Sequence, residues 1–108
     1  MDLKTSPLAP ARFPDLPAID GVKLGGVAAG IKYRDREDLF LAEFPDGAAA
    51  AGVVTQSLTR SAPVDWCRKV LPLGSARAIL VNSGNSNAFT GSKGVETTEH
   101  MVKAAAAA

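Results

Sequence analysis

The 108-residue chain has one cysteine, one histidine and few aromatics, which make up 6% of its residues. A lone cysteine, Cys67, excludes an internal disulfide framework and fits a reducing compartment. One Cys and one His do not make a metal-ligand set, so no metal or other cofactor is expected. His100 lies among helix formers, and no sequence cue sets it beside Cys67 or any serine. Nucleophile–base catalysis therefore has no visible pair within reach, and His100 reads as a surface or helix-packing residue. Charge of one sign is also lacking. Twelve basic against eleven acidic residues leave +1, with no basic stripe interleaved with aromatics, which argues against a nucleic-acid partner. No apolar run approaches the roughly 18 residues of a membrane span. Met1-Asp2-Leu3-Lys4 lacks the apolar core of a signal peptide. The expectation is a cytoplasmic protein with no membrane partner.

What the chain does have is small residues: ten glycines and much alanine, within a 46% hydrophobic, 21% charged composition. That suits one modest domain, residues 1–108, with close backbone packing between sheet and helix. Residues 1–18 hold Pro7, Pro10, Pro14 and Pro17, which rules out regular helix or central strand and predicts an extended arm. Leu24 to Lys32 is glycine-rich but fails as a dinucleotide fingerprint, since Gly25 and Gly26 are adjacent and Val27 stands where a spaced glycine is needed. Its glycines read as places where a strand bends or another backbone comes close. Tyr33 to Asp38 reads as a solvated charged turn, with Asp35 and Asp38 carrying no catalytic signal.

Leu39 to Phe44 reads as a strand, Pro45-Asp46-Gly47 as a turn and Ala48 to Thr55 as a returning strand. Together they predict an antiparallel hairpin. Ser61 is placed to cap a helix, with Pro63 and Asp65 in its first turn. Val64, Cys67, Val70 and Leu71 share one helical face, which makes Cys67 a buried small hydrophobe, and the helix should stop before Pro72. Arg77 to Val81 is a further strand. A second helix begins near Ser92, with a stripe of Val95, Thr98, Val102 and Ala105. Short strands alternating with helices and a hairpin indicate a mixed α/β (α+β) domain.

Ile79-Leu80-Val81 leads into Asn82-Ser83-Gly84-Asn85-Ser86-Asn87-Ala88-Phe89-Thr90-Gly91. Asn and Gly tolerate left-handed backbone angles, and Asn and Ser side chains bond nearby backbone. The run is an ordinary polar turn, or a strand end braced by internal hydrogen bonds that presents an N–H and a hydroxyl outward. It is longer than a turn needs.

Asn82 to Gly91 resembles the signature of the ornithine acetyltransferase family, the bifunctional glutamate N-acetyltransferases of arginine biosynthesis. Gly26 to Lys32, Ala51-Gly52-Val53-Val54-Thr55-Gln56 and Ser61-Ala62-Pro63-Val64 are similar to further family segments, in the same order. Ser86 and Val54 depart from the commonest residues, alanine and phenylalanine. The resemblance implies a precursor that cleaves itself before a threonine into α and β chains, assembled as an α2β2 heterotetramer. That threonine, on the β chain, takes acetyl from N-acetylornithine and passes it to glutamate, and acetyl-CoA is a possible second donor. The fold implied is a layered α/β/β/α sandwich, of which this chain is the N-terminal part of the α chain. Thr90 and Gly91 map onto the family's oxyanion hole, where a side chain at Gly91 would crowd the acetyl group. The cleavage segment Lys-Gly-Ala-Thr-Met-Leu does not occur in these residues, so no nucleophile is expected in this chain and the chain alone is expected to be inactive. Two other readings stand beside this one: the α chain of a related self-cleaving amidase or aminopeptidase, and an inactive fragment that keeps the fold.

Overall fold

The computed structural model describes residues 4–108, so the first three residues of the proline-rich arm lie outside it. Residues 4–22 form turns and extended chain without helix or strand. Three strands follow: β1 (Lys23–Val27), β2 (Leu39–Ala49) and β3 (Ser75–Asn82). They form one antiparallel sheet in the order β1-β2-β3. Helix α1 (Ala62–Val70) and helix α2 (Gly91–Ala107) pack against each other, and α2 also lies against the sheet. The architecture is α+β. Among the described residues, no helix is long and apolar enough to cross a membrane.

The expected hairpin at Pro45-Asp46-Gly47 does not form. Residues 39–49 are one continuous strand, irregular between Glu43 and Ala48, and Ala48 and Ala49 resume pairing with Ala76 and Ser75 of β3. The reason is non-local: Pro45-Asp46-Gly47 has turn composition, but the residues after it find their partners on β3, so the chain carries on along that strand and does not fold back on residues 39–44. Pro45 is instead accommodated in an irregular stretch, with Gly47 at φ +77° and the Pro45 carbonyl accepting from Arg77 Nη2. Residues 50–60, expected to include the returning strand, are loop. That loop is tied to α1, where Arg68 Nη2 donates to the Thr55 carbonyl at 2.7 Å.

Helix α1 stops at Val70 as its sequence requires. A 3-10 turn, Leu71–Leu73, carries Pro72, and Gly74 at φ +72° ends it. Ser61 makes no side-chain capping bond, and its carbonyl accepts from Val64 and Asp65 instead. Cys67 is exposed, against expectation. Val64, Val70 and Leu71 of the same stripe are half-buried. Helix α1 lies against α2, and part of its apolar stripe is left facing solvent. The stripe foreseen on α2 holds at Thr98, Val102 and Ala105 and fails at Val95. Gly94 and Thr98 are the helix's buried residues, Met101, Val102 and Ala105 are half-buried, and Val95 is exposed. His100 is exposed.

Period-2 alternation gives the sheet two faces. Gly25, Leu41 and Leu80 pair across one face and, with Leu39, Met101 and Ala105, line an apolar groove beneath α2. Leu24, Phe40, Ile79 and Val81 point the other way and are 39–69% exposed. Ala42, the one buried apolar residue among the described residues, lies on this second face, in register between Leu24 and Ile79. One sheet face is covered and the other is open.

Candidate functional site

The polar run after β3 is a braced loop. Asn82 Nδ2 donates to the Asn85 carbonyl at 2.8 Å, and Asn85 Oδ1 accepts the Asn87 N–H at 3.0 Å. Gly84, Asn87, Phe89 and Gly91 all have positive φ. An aromatic residue at φ +57° is an uncommon conformation for a side-chain-bearing residue, kept only where surrounding bonds over-determine it. Phe89 is also 86% exposed, so its ring does not stabilise that backbone by burial within this chain.

Asn87 ties this loop to both helices and to Thr90. Its carbonyl accepts the Ala62 N–H at the start of α1. Its Nδ2 donates to the Gly94 carbonyl at 2.9 Å and to Thr98 Oγ1 at 3.1 Å on α2. Its Oδ1 accepts the Thr90 hydroxyl at 2.8 Å. The Gly94 carbonyl can only accept, so the amide nitrogen must face it and Oδ1 must face Thr90. The Thr90 hydroxyl is therefore the donor of that pair. Thr98 Oγ1 in turn donates to the Gly94 carbonyl at 2.9 Å.

The loop is held from below as well. Asp38, read from sequence as part of a solvated turn, is 3% exposed. Its two carboxylate oxygens accept the Ala29 and Ile31 N–H groups at 2.6 Å each, its own N–H donates to Val27, and its carbonyl accepts from Ser83. One residue thus joins the Gly26–Lys32 segment to the first residues of the polar loop. Its burial follows from these bonds, because a carboxylate leaves water only when its oxygens are satisfied. Neighbouring Tyr33 and Arg36 stay at the surface, stacked with the guanidinium carbon 4.3 Å from the ring centroid.

Thr90 and Gly91 stand side by side at the start of α2, both exposed. Thr90 occupies the N-cap position but makes no side-chain cap. Among the described residues no acceptor takes the Gly91 N–H, which is one of the orphan donors of the helix start. A hydroxyl beside a free main-chain N–H, at the positive end of a helix of 17 residues, is suited to a developing negative charge. An added Cβ at Gly91 would meet no atom of this chain within 4 Å, so φ +57° is the constraint visible here.

Three of the four sequence segments singled out above meet around this loop: Gly26–Lys32, Ser61–Val64 and Asn82–Gly91. The fourth, Ala51–Gln56, sits against α1. The sequence reading placed Asp38 in a solvated turn and Thr98 in the α2 stripe, and it missed the part that both, with Gly94, play in holding this loop. The signal that was available is the spacing of Thr90, Gly94 and Thr98, one helical turn apart, with a glycine inside a helical pattern.

Comparison with known proteins places this loop in context. The bifunctional arginine biosynthesis protein ArgJ of Agrobacterium fabrum is 55% identical over 108 residues, and that of Brucella suis is 56% identical. Each match covers 100% of this chain and 26% of the relative, so the chain spans about a quarter of their length. The crystal structure of ornithine acetyltransferase from Mycobacterium tuberculosis, complexed with ornithine, superposes with a TM-score of 0.69 at 44% identity, over 75% of this chain and 42% of that one. ArgJ from Bacillus halodurans gives 0.70 at 31% identity, over 76% and 43%. The sequence profile of the ArgJ family matches residues 23–108, from the first strand to the end of α2, and the chain belongs to that family.

Proposed function

We propose that this chain is the N-terminal part of the α chain of a glutamate N-acetyltransferase, and that Thr90 and Gly91 form its oxyanion hole. The observation that carries this reading is the pair of donors at the start of α2, braced by Asn87 in a loop of ArgJ-family sequence. In the reaction, a threonine hydroxyl on the β chain of the same precursor attacks the acetyl carbonyl of N-acetylornithine. The threonine's own α-amine takes the proton. The carbonyl electron pair moves onto oxygen, where the Thr90 hydroxyl and Gly91 N–H receive it. Collapse expels the ornithine amine with a proton. Glutamate's amine then attacks the acyl-threonine ester carbonyl, and the ester C–O bond breaks. The threonine oxygen takes up, through the α-amine, the proton lost by glutamate's amine, and N-acetylglutamate leaves. The enzyme works as an α2β2 assembly in the cytoplasm, needs no metal, and leaves acetyl-CoA as a possible alternative donor.

The open sheet face supports the matching structural reading. Leu24, Phe40, Ile79 and Val81 are one inner face of a layered α/β/β/α sandwich, to be covered by a second sheet from the rest of the protein. The chain alone is then inactive.

The test is Thr90→Val in the complete enzyme, which keeps the shape and removes the hydroxyl. Acetyl transfer from N-acetylornithine to glutamate should fall about 10²–10³ in kcat, roughly 2.7–4 kcal/mol, as for other oxyanion-hole donors. An unchanged kcat overturns the assignment. Release of free acetate in place of N-acetylglutamate would overturn the transferase reading.

A further inference from the structure

Thr90 has two uses open to it, and the structure shows which one is taken. A threonine at an N-cap ordinarily turns its oxygen back to accept an N–H of the first helical turn. Thr90 does not: its backbone is already helical, at φ −105° and ψ −1°, where a capping residue is normally extended. Its hydroxyl is drawn instead to Asn87, where Oδ1 lies at 2.8 Å and the carbonyl at 3.3 Å.

We propose that Asn87 is the positioning residue of this site: its carboxamide fixes the hydroxyl of Thr90, the residue before the Gly91 N–H. The proposal rests on the oxyanion-hole reading of Thr90 and Gly91. Asn87 is well placed for the task because its own orientation is not free. The Gly94 carbonyl and Thr98 Oγ1 fix Nδ2 toward α2, which leaves Oδ1 facing Thr90. Thr98 is buried, and its hydroxyl is itself anchored on the Gly94 carbonyl. The backbone of Asn87 sits at φ +52°, a conformation Asn adopts more readily than most residues. Gly94 completes the arrangement, since any side chain there would enter the space that holds Thr90 Oγ1.

The hydroxyl has a single proton. In the resting site the O–H points at Asn87 Oδ1, and during turnover rotation about the Cβ–Oγ bond turns it toward the reacting oxygen while the proton stays on Oγ1. No bond to carbon changes. Asn87 touches no reacting atom and acts only through Thr90.

The test is a double-mutant cycle in the complete acetyltransferase, with steady-state kinetics for N-acetylornithine and thermal midpoints for every variant. Asn87→Gly tolerates the left-handed backbone and deletes the carboxamide. In the Thr90 background it should lower kcat roughly tenfold or more, as misplacement of a catalytic donor does, with KM within about twofold. In the Thr90→Val background the same change should alter kcat by less than about twofold. Equal losses in the two backgrounds, or none in the first, overturn the proposal. If Asn87→Gly does not yield folded enzyme, Thr98→Val runs the same cycle by loosening the carboxamide from α2. A loss confined to the Thr90 background supports the proposal, and a loss shared by both or absent from both overturns it. An unchanged kcat for Thr90→Val alone removes the oxyanion-hole reading itself, a result distinct from an additive cycle.

Discussion

Thr90 Oγ1 fills the space that a Cβ on Gly94 would occupy, and the same Cβ would stand 2.9 Å from Asn87 Oδ1. Two opposing effects therefore meet in Gly94→Ala. Helix propensity favours alanine by about 1 kcal/mol inside a helix. Overpacking a filled site costs about 1–3 kcal/mol and pushes Thr90 out of place. The clash should win, because the obstructing atoms belong to a short side chain held by its own hydrogen bond. Gly94→Ala is expected to lower both the thermal midpoint and kcat of the complete enzyme. A midpoint raised by the substitution would show that propensity prevails.

Asp38→Asn is a second test of how the loop is held. The substitution keeps the shape but turns one acceptor into a donor, set against the N–H of Ala29 or Ile31. Hydrogen bonds to a charged partner contribute about 1.5–3 kcal/mol each, and a buried donor left without an acceptor adds to the loss. A destabilisation of about 2–4 kcal/mol is expected on this basis, read from denaturation midpoints of the complete protein. A change below about 0.5 kcal/mol, the usual range for surface substitutions, would mean that the carboxylate is dispensable.

At Gly91 the backbone angle and the crowding of an acetyl group make opposite predictions. With φ at +57°, an alanine costs about 1–2 kcal/mol while asparagine costs less, since Asn tolerates the left-handed region. If backbone strain dominates, Gly91→Asn should melt above Gly91→Ala. If space for the acetyl group dominates activity, the larger Asn should give the lower kcat of the two. Measuring midpoint and kcat for both variants separates the contributions, and a lower midpoint for Asn would contradict the strain account.

The open sheet face gives a prediction whose sign depends on context. Val81 is 50% exposed on the face that also carries Leu24, Phe40 and Ile79. The chain prepared alone should bind a hydrophobic dye such as ANS, and Val81→Lys should reduce that binding. In the complete protein the same substitution should destabilise by at least about 2 kcal/mol, the scale of burying one aliphatic side chain. Unchanged stability there would mean that no second sheet covers this face.

Much of the site was legible because its chemistry is local. The run from Asn82 to Gly91 announces left-handed angles and side-chain-to-backbone bonds through its residue types alone, and the structure shows both. The limits of α1 followed in the same way from Ser61, Pro63 and Pro72, and the second helix, expected from Ser92, starts one residue earlier at Gly91. The hairpin failed for a non-local reason: Pro45-Asp46-Gly47 has turn composition, but Ala48 and Ala49 pair with Ala76 and Ser75 of β3, far along the chain. Cys67 failed because a helical stripe shows which residues could be buried, and burial depends on what lies opposite.

Asp38 marks the division between the two kinds of information. Its sequence setting, among Arg34, Asp35, Arg36 and Glu37, describes a solvated turn, and for its neighbours that holds. Only the approach of residues 27–31 on one side and Ser83 on the other supplies the donors that let one carboxylate leave water. The sequence by itself determined the third strand, the polar character and left-handed angles of the loop after it, and the presence of a helix close behind, because these depend on backbone preferences within a few residues. The tertiary structure decided which carboxylate is buried, where the Thr90 hydroxyl points and which sheet face stays open. Those depend on partners that lie far apart along the chain and meet only when it folds.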